Sequence, residues 1–202
     1  MADKFKVPRR RWGRSNIEIP VTPFGTQGFG NNFGFVSDDD ACKLMRRAVD
    51  IGIDHFDCAL CYGDSVRKLG LAIKTGVIKR DEVIISGRVC CHGKREIDYS
   101  AGHAISEVEK QLEMLGMDYF DATFIHDPGQ IDPTLGKDGT LAGLLKAKSR
   151  GLVRNVGYGM RPHDFHLKAM ETGDVDVLLT FNDYNLLHQT AAEDILPTAA
   201  AK

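Results

Sequence analysis

From residue 37 onward the chain repeats one pattern, in which an amphipathic segment ends at a glycine and a short apolar run follows. The segments have apolar residues at helical spacing, and they end at glycines 52, 76, 116, 151 and 173. Together with an earlier run, the apolar runs cover residues 21–24, 53–59, 83–85, 119–125, 153–158 and 175–181. Strands that alternate with helices form βαβ units, so the pattern predicts an α/β fold with six parallel strands.

Capping residues and periodicity place the helices. Ser37 is a suitable N-cap for the first helix, and the apolar positions of that helix are Ala41, Leu44, Met45 and Ala48. Further helices are predicted around residues 66–73, 101–115, 141–145 and 165–170, and an alanine-rich segment covers 190–202. Before the first strand, a Gly-Arg-Ser turn at 13–15 predicts a small hairpin.

The chain length limits how the six strands are arranged. A complete (β/α)8 barrel typically takes about 250 residues, whereas this chain has 202. We therefore expect a parallel TIM-barrel-type fold that is incomplete, with about six β/α units in a single domain over residues 1–202. A doubly wound open sheet of six strands fits the same alternation.

The charge and cysteine content exclude several functional classes. With 28 acidic and 26 basic residues, the net charge of −2 gives no general attraction for nucleic acid or membrane. No apolar stretch approaches the roughly 20 residues that a membrane-spanning helix needs, and the first residues lack the apolar core of a signal peptide. Five unevenly spaced cysteines argue against a disulfide framework. We expect a cytoplasmic protein that binds neither nucleic acid nor membrane.

Polar side chains follow three neighbouring strands at the end where parallel α/β folds carry their function. Asp57 and Tyr62 follow the second strand, Arg88 the third and His126 the fourth. Each has a simpler explanation alone: a loop cap, a surface aromatic residue, an ion-pair partner and a turn residue. Together they indicate more, because a buried carboxylate needs a partner and a nearby cation lowers the pKa of a phenol. A proton donor to a carbonyl needs a pKa near the working range.

Three ordered segments resemble the aldo-keto reductase family. Residues 52–59 (GIDHFDCA), with Tyr62 and Gly63, are similar to its signature segment, and residues 84–89 and 124–128 resemble the segments with its catalytic lysine and histidine. The resemblance implies that Asp57, Tyr62, Arg88 and His126 are catalytic. Residues 156–160 and 183–187 are most similar to the branch that oxidises free aldoses such as fucose or arabinose, and to its pyridoxal-oxidising relatives.

This resemblance implies hydride transfer between the nicotinamide of NAD or NADP and the carbonyl or lactol carbon of a small substrate. Tyr62 would donate the proton in reduction or accept it in oxidation, Asp57 and Arg88 would tune Tyr62, and His126 would orient the substrate oxygen. The residues expected at the cofactor are Gly25, Thr26, Asp57, Gly159, Met160 and Asn182.

The chain departs from the family pattern at several positions. Arg88 replaces a lysine, and its planar guanidinium can bind Asp57 at two points; Lys94 is an alternative cation. A Ser-Asn pair of the family is Gly159-Met160 here, although the aldose-oxidising branch often has Gly-Met. The glutamine that holds the nicotinamide amide aligns near Phe181 or Asn182, and Asn182 is the better chemical match.

The resemblance also implies that the chain stops where the seventh strand would begin. The last two barrel units carry the aromatic residue that stacks on nicotinamide and the loop that grips the phosphates of the cofactor. We expect either a fragment or a second subunit of the same chain over the open barrel edge. A catalytically impaired barrel that acts as a non-enzymatic binding or interaction module is the alternative function.

Other polar clusters support weaker interpretations. Cys58, Cys61, Cys90, Cys91 and His92 follow adjacent strands and could bind zinc or an iron–sulfur cluster, but we expect thiols and no metal. His163 and His166, at the start of the fifth predicted helix, are expected to face solvent. Three glycines, at 28, 30 and 34, are expected to shape the loop above the site.

Overall fold

The computed structural model describes residues 7–90 and 97–202, and a curled parallel sheet is their central feature. Its six strands are hydrogen-bonded in chain order, so each strand pairs with the next along the sequence. The strands are β3 (Phe24–Gly25), β4 (His55–Asp57), β5 (Ile84–Val89), β6 (Ala122–His126), β7 (Val156–Met160) and β8 (Val177–Thr180). The six parallel strands are confirmed. An order without reversal excludes a doubly wound sheet, in which the order reverses at a switch point.

All but the last of the α-helices that the structure describes connect consecutive strands of this sheet, and the last one follows β8. They are α1 (Asp38–Asp50), α2 (Ser65–Lys74), α3 (Ala101–Leu115), α4 (Ile131–Leu135), α5 (Thr140–Ser149), α6 (His163–Glu171) and α7 (Ile195–Ala201). The predicted N-cap of α1 is confirmed, because the Ser37 hydroxyl accepts a hydrogen bond from the Asp40 amide at 3.1 Å. The short helix α4 was not expected from the sequence. None of the helices among the described residues is long and apolar enough to cross a membrane.

The two faces of the sheet carry separate clusters of buried apolar side chains. Side chains on the outer face, including Phe56, Ile85, Ile125 and Tyr158, are fully buried in the large cluster that includes the helices. On the inner face, Phe124 packs with Ala122 and Val177, and Trp12 covers this smaller cluster. The Trp12 ring lies 4.6 Å from the ring of His55 and 5.9 Å from that of Phe124, centroid to centroid. The sheet therefore curls around a filled interior, as in a barrel.

Trp12 belongs to the small hairpin at the start of the described chain. Strands β1 (Arg9–Arg11) and β2 (Glu18–Pro20) pair antiparallel, which confirms the predicted hairpin. The Arg14 amide donates to the Asp176 carbonyl at 2.9 Å, and the hairpin is thereby held against the segment that leads into β8. The hairpin closes the end of the sheet opposite to the carboxyl ends of the strands.

Two burial predictions were wrong. Leu44 was placed on the apolar face of α1 but is 49% exposed, because Ala41, Met45 and Ala48 already fill the buried face of the helix. His166 was expected to face solvent but is fully buried, and its Nε2 lies 2.9 Å from the Met160 carbonyl oxygen. Burial lowers the pKa of His166. The Met160 carbonyl at the end of β7 pairs with Nε2 of this buried ring and so lowers the cost of burying it.

Candidate active site

A cavity of about 490 Å³ lies at the carboxyl ends of the sheet strands, and all four predicted catalytic side chains line it. Parallel strands bring their ends to one rim, so residues from all six strands of the sheet, or from the segments that directly follow them, meet there. The lining residues are Gly25, Gln27, Asp57, Cys61, Tyr62, Arg88, His126, Asp127, Gly159, Met160, Leu179 and Phe181.

Asp57 and Arg88 form a buried ion pair at the floor of this cavity. Arg88 Nε lies 3.0 Å and Nη2 2.8 Å from Oδ2 of Asp57, and the two side chains are only 9% and 13% exposed. β4 and β5 are neighbours, and the register that pairs Asp57 with Ser86 places Arg88 one inward-facing position further along β5. The two-point contact expected for an arginine is therefore present. Each charge compensates the other, which a buried charge requires.

A hydrogen-bond chain beneath the ion pair was missed by the sequence analysis. The Ser86 hydroxyl donates to Oδ1 of Asp57 at 2.8 Å, and His55 Nε2 lies 3.1 Å from the same hydroxyl. Since Ser86 uses its proton toward Asp57, His55 Nε2 is the donor of the second bond. Burial lowers the pKa of His55 to about 4, so the ring is neutral at pH 7. This hydrogen-bond chain fixes Oδ1 of Asp57, while Arg88 binds Oδ2 and also reaches Oδ1 with Nε at 3.2 Å. The alternation of strand residues was the available signal, because His55, Asp57 and Ser86 share the inner face.

Tyr62 stands half-buried between the cation and the imidazole. The guanidinium carbon of Arg88 lies 5.6 Å from the centroid of the Tyr62 ring, and the His126 ring meets it edge-on at 5.9 Å with an interplanar angle of 82°. The arrangement gathers a phenol, a positive charge and an imidazole around one opening. These groups are suited to move a proton to or from a substrate oxygen.

The loop after β3 supports Tyr62 from behind. A Cβ atom on Gly30 would collide with the carbonyl oxygen of Tyr62, so only glycine allows this close approach. The buried ammonium of Lys68 donates to the carbonyls of Phe29 and Val36 at 2.9 and 2.6 Å, and it thereby holds the loop in place. The expectation that glycines shape this loop above the site is thus met at Gly30. A Cβ atom at Gly28 would meet open space, whereas the φ of 124° at Gly34 favours glycine although the space around it is open.

The residues expected at a cofactor occupy different places. Gly25, Gly159 and Met160 line the cavity. Thr26 is buried behind the wall, where its hydroxyl donates to the Asp57 carbonyl at 2.8 Å and lies 2.7 Å from the Ser65 hydroxyl. The Asn182 side chain accepts a hydrogen bond from Asn185 at 2.8 Å, and the neighbouring Phe181 lines the cavity with 62% of its surface exposed.

The described residues do not include Cys91, His92 or Lys94. Within residues 7–90 and 97–202, no group of three or more histidine, cysteine, aspartate or glutamate side chains is arranged to hold a metal ion. Cys58 and Cys90 are buried, whereas Cys61 reaches the cavity wall.

The similarity of this chain to known proteins covers nearly its whole length. The sequence model of the aldo/keto reductase family matches residues 23–202. An L-galactose dehydrogenase from Arabidopsis thaliana is 30% identical over 98% of this chain and 63% of its own length. A D-threo-aldose 1-dehydrogenase from a Pseudomonas species is 28% identical over 92% of this chain and 64% of its own. The chain thus spans less than two thirds of the length of these two relatives.

A crystal structure from Pseudomonas aeruginosa, assigned to the aldo-keto reductases, has a similar fold. It superimposes with a TM-score of 0.85 and 25% sequence identity, over 98% of this chain and 76% of that one. The curled six-stranded sheet therefore corresponds to an incomplete (β/α)8 barrel, as expected from the sequence.

Proposed function

Because this chain belongs to the aldo/keto reductase family, we propose that its cavity transfers hydride between a nicotinamide cofactor and the carbonyl or lactol carbon of a small sugar or aldehyde. The observation that carries this proposal is the convergence of Tyr62, His126 and the Asp57–Arg88 pair on one cavity. The non-enzymatic binding module is not favoured, because the groups needed for proton transfer are all present on that cavity wall.

Tyr62 is the proton donor in the reductive direction and the acceptor in oxidation. Its ring borders the cavity, and the positive charge of Arg88 near the ring favours the negative charge that develops on the phenol oxygen. Asp57 does not contact the substrate in this scheme, but it fixes the position of the guanidinium. His126 orients the substrate oxygen toward Tyr62, which lies edge-on to its ring.

The cavity wall fits the nicotinamide end of a cofactor. A Cβ atom at Gly25 would meet nothing within 4 Å, and at Gly159 the nearest atom would lie 3.7 Å away, so both glycines leave room for a flat ring. The exposed ring of Phe181 offers an apolar surface, and the amide of Asn182 is the proposed partner of the carboxamide. Nicotinamide cofactors, which the family uses, supply or take up the hydride when bound. The cofactor is NAD or NADP.

An aldose in its lactol form is the proposed substrate. The two curated relatives are named as dehydrogenases of L-galactose and of D-threo-aldoses. The polar side chains of Gln27 and Asp127 line the same cavity and can bind sugar hydroxyls. The proposal also places the protein in the cytoplasm. It further includes a second copy of the chain that covers the outer edge of β8.

The test uses the purified chain, with cofactor binding and turnover measured separately. NADH and NADPH fluorescence is titrated with protein, and L-galactose and L-fucose are then oxidised with NAD or NADP while the reduced cofactor is monitored. We expect binding of at least one cofactor and turnover of an aldose. D-Sorbitol, which has no lactol carbon, is the matched control and should not react. No binding of either cofactor at millimolar concentration would contradict the proposal.

A further inference from the structure

A thiol, an imidazole and a carboxylate lie in sequence along the wall of the cavity. Sγ of Cys61 is 3.7 Å from Nδ1 of His126, and Nε2 of the same ring is 3.3 Å from Oδ2 of Asp127. All three residues line the cavity. The hydride-transfer scheme uses His126 but gives no role to Cys61.

This order of groups is that of a nucleophile, its base and the residue that orients the base. In such sites the imidazole takes the proton of the nucleophile, and the carboxylate holds the imidazole in the correct tautomer and stabilises its charged form. Nδ1 of His126 faces the thiol of Cys61, and Nε2 of the same ring lies near the carboxylate of Asp127. The cavity provides space for the reacting group beside the thiol.

Asp127 has an uncommon backbone conformation at this position. Its φ of 42° is left-handed, an uncommon conformation for a residue other than glycine, and its amide donates to the Gly159 carbonyl at 2.8 Å. The hydrogen bond ties the turn after β6 to the neighbouring strand β7. In this conformation Oδ2 of Asp127 lies 3.3 Å from Nε2 of His126.

We propose that Cys61, His126 and Asp127 form an acyl-transfer site that hydrolyses small esters and lactones. Sγ gives its proton to Nδ1 of His126 and attacks the acyl carbon. As the new C–S bond forms, the bond to the alkoxy oxygen breaks, and the leaving oxygen takes the proton from His126. Water then attacks the thioester with His126 as base, which releases the acid and restores the thiol.

The lactone class follows from the proposed hydride transfer, on which this choice of substrate rests. Oxidation of a lactol carbon yields a lactone, which is a cyclic ester formed in the same cavity. Tyr62 also lines that cavity, and its hydroxyl is the proposed donor to the oxygen that becomes negatively charged in the attack. The acyl transfer itself needs no cofactor.

Cys42 provides an internal control for thiol reactivity. It is half-buried like Cys61, but it lies on α1, away from the cavity. Burial raises the pKa of Cys42, and the nearby Asp38 and Asp39 add to this effect. A thiol in that setting is a poor nucleophile at neutral pH.

The experiment measures hydrolysis of p-nitrophenyl acetate by the purified chain without cofactor, so a failure of hydride transfer does not affect it. We expect a burst of p-nitrophenolate equal to the enzyme concentration, an acetyl group on Cys61 in peptide mass spectra, and continued turnover. Cys61→Ser should lower the rate at least about 100-fold because it removes the nucleophile, whereas Cys42→Ser should leave it unchanged. Asp127→Asn should lower kcat about 10-fold and leave KM unchanged, since it acts through His126.

A δ-lactone supplies the second arm, with acid release followed in a pH-stat. We expect release above the spontaneous rate in the wild type and its loss in Cys61→Ser. The proposal is overturned if Cys61→Ser retains the burst, if the acetyl group is found on Cys42 as often as on Cys61, or if the burst is never followed by turnover.

Discussion

The Arg88 guanidinium binds the Asp57 carboxylate through two nitrogen atoms, with Nε at 3.0 Å and Nη2 at 2.8 Å from the same oxygen. Tyr62 therefore faces one member of an ion pair rather than an isolated cation. The pair is almost entirely removed from solvent, and its geometry links the stability of the fold to the chemistry of the site.

Removing the cation should destabilise the protein as well as inactivate it. Arg88→Met leaves the Asp57 carboxylate buried without its counter-ion, and the free energy of unfolding should fall by about 3–5 kcal/mol. Aldose turnover should be lost with it. Urea unfolding followed by circular dichroism measures the first effect, and NAD(P)H formation measures the second.

Arg88→Lys is the matched variant, because it keeps the charge and loses one of the two contacts. We expect its free energy of unfolding to be about 1–2 kcal/mol lower than that of the wild type, and we expect it to retain turnover. Loss of turnover in Arg88→Lys, in a protein that is still folded, would show that the site needs the planar guanidinium rather than a positive charge.

Ser86 should contribute to the site through its hydroxyl. Ser86→Ala removes one donor from the Asp57 carboxylate and leaves His55 Nε2 buried without an acceptor, so we expect a loss of about 1–3 kcal/mol in unfolding free energy. Ser149→Ala, whose hydroxyl bonds an exposed backbone carbonyl, should change stability by less than about 0.5 kcal/mol. Equal effects of the two substitutions would argue against the buried hydrogen-bond chain.

His55 should make the fold less stable in acid. Its pKa in the folded protein is about 4, below the usual 6.5, so the unfolded chain takes up the proton first as the pH falls. The contribution of His55 to stability is complete above pH 6.5 and is lost between pH 6.5 and 4, by about 2 kcal/mol at pH 5. Urea unfolding at pH 7.5 and pH 5 measures this loss.

His55→Asn should unfold with a smaller dependence on pH than the wild type. Some dependence should remain, because burial also lowers the pKa of His166. An unchanged difference between pH 7.5 and pH 5 in the variant would show that other groups cause the acid sensitivity.

Gly30 should be required for the position of Tyr62. Gly30→Ala places a Cβ atom against the Tyr62 carbonyl, so the backbone must shift, and we expect a loss of about 1–3 kcal/mol in stability together with reduced turnover. Gly28→Ala, where the added methyl meets open space, should leave both unchanged. The two variants are compared by thermal unfolding and by aldose oxidation under the same conditions.

Much of the fold was predictable because short apolar runs mark the buried strands and apolar residues at helical spacing mark the helices between them. The six parallel strands, the Ser37 cap and the hairpin were all predicted. The polar residues at the strand ends were expected to lie on one rim. Those features depend on local spacing and on the geometry of parallel sheets. Boundaries were less well predicted, since β7 begins at Val156 and not at Val153.

Most side-chain contacts at the cavity join residues that are distant in the sequence, and these contacts were largely not predicted. The bond from Ser86 to Asp57 follows from the register of β4 and β5, and the approach of Cys61 to His126 joins residues 65 positions apart. His166 was misjudged because its partner, a backbone carbonyl at the end of β7, leaves no trace in side-chain patterns. Only the folded arrangement shows which polar atoms satisfy one another.

The most direct test of the proposed hydride transfer is aldose oxidation by Tyr62→Phe, measured beside NAD(P)H binding. The substitution removes one hydroxyl and keeps the ring that contacts His126 and Arg88. We predict that cofactor binding stays within about twofold of the wild type and that turnover falls at least about 100-fold, as expected for loss of a general acid–base group. Turnover within a few-fold of the wild type would contradict the assignment of Tyr62 as the proton donor.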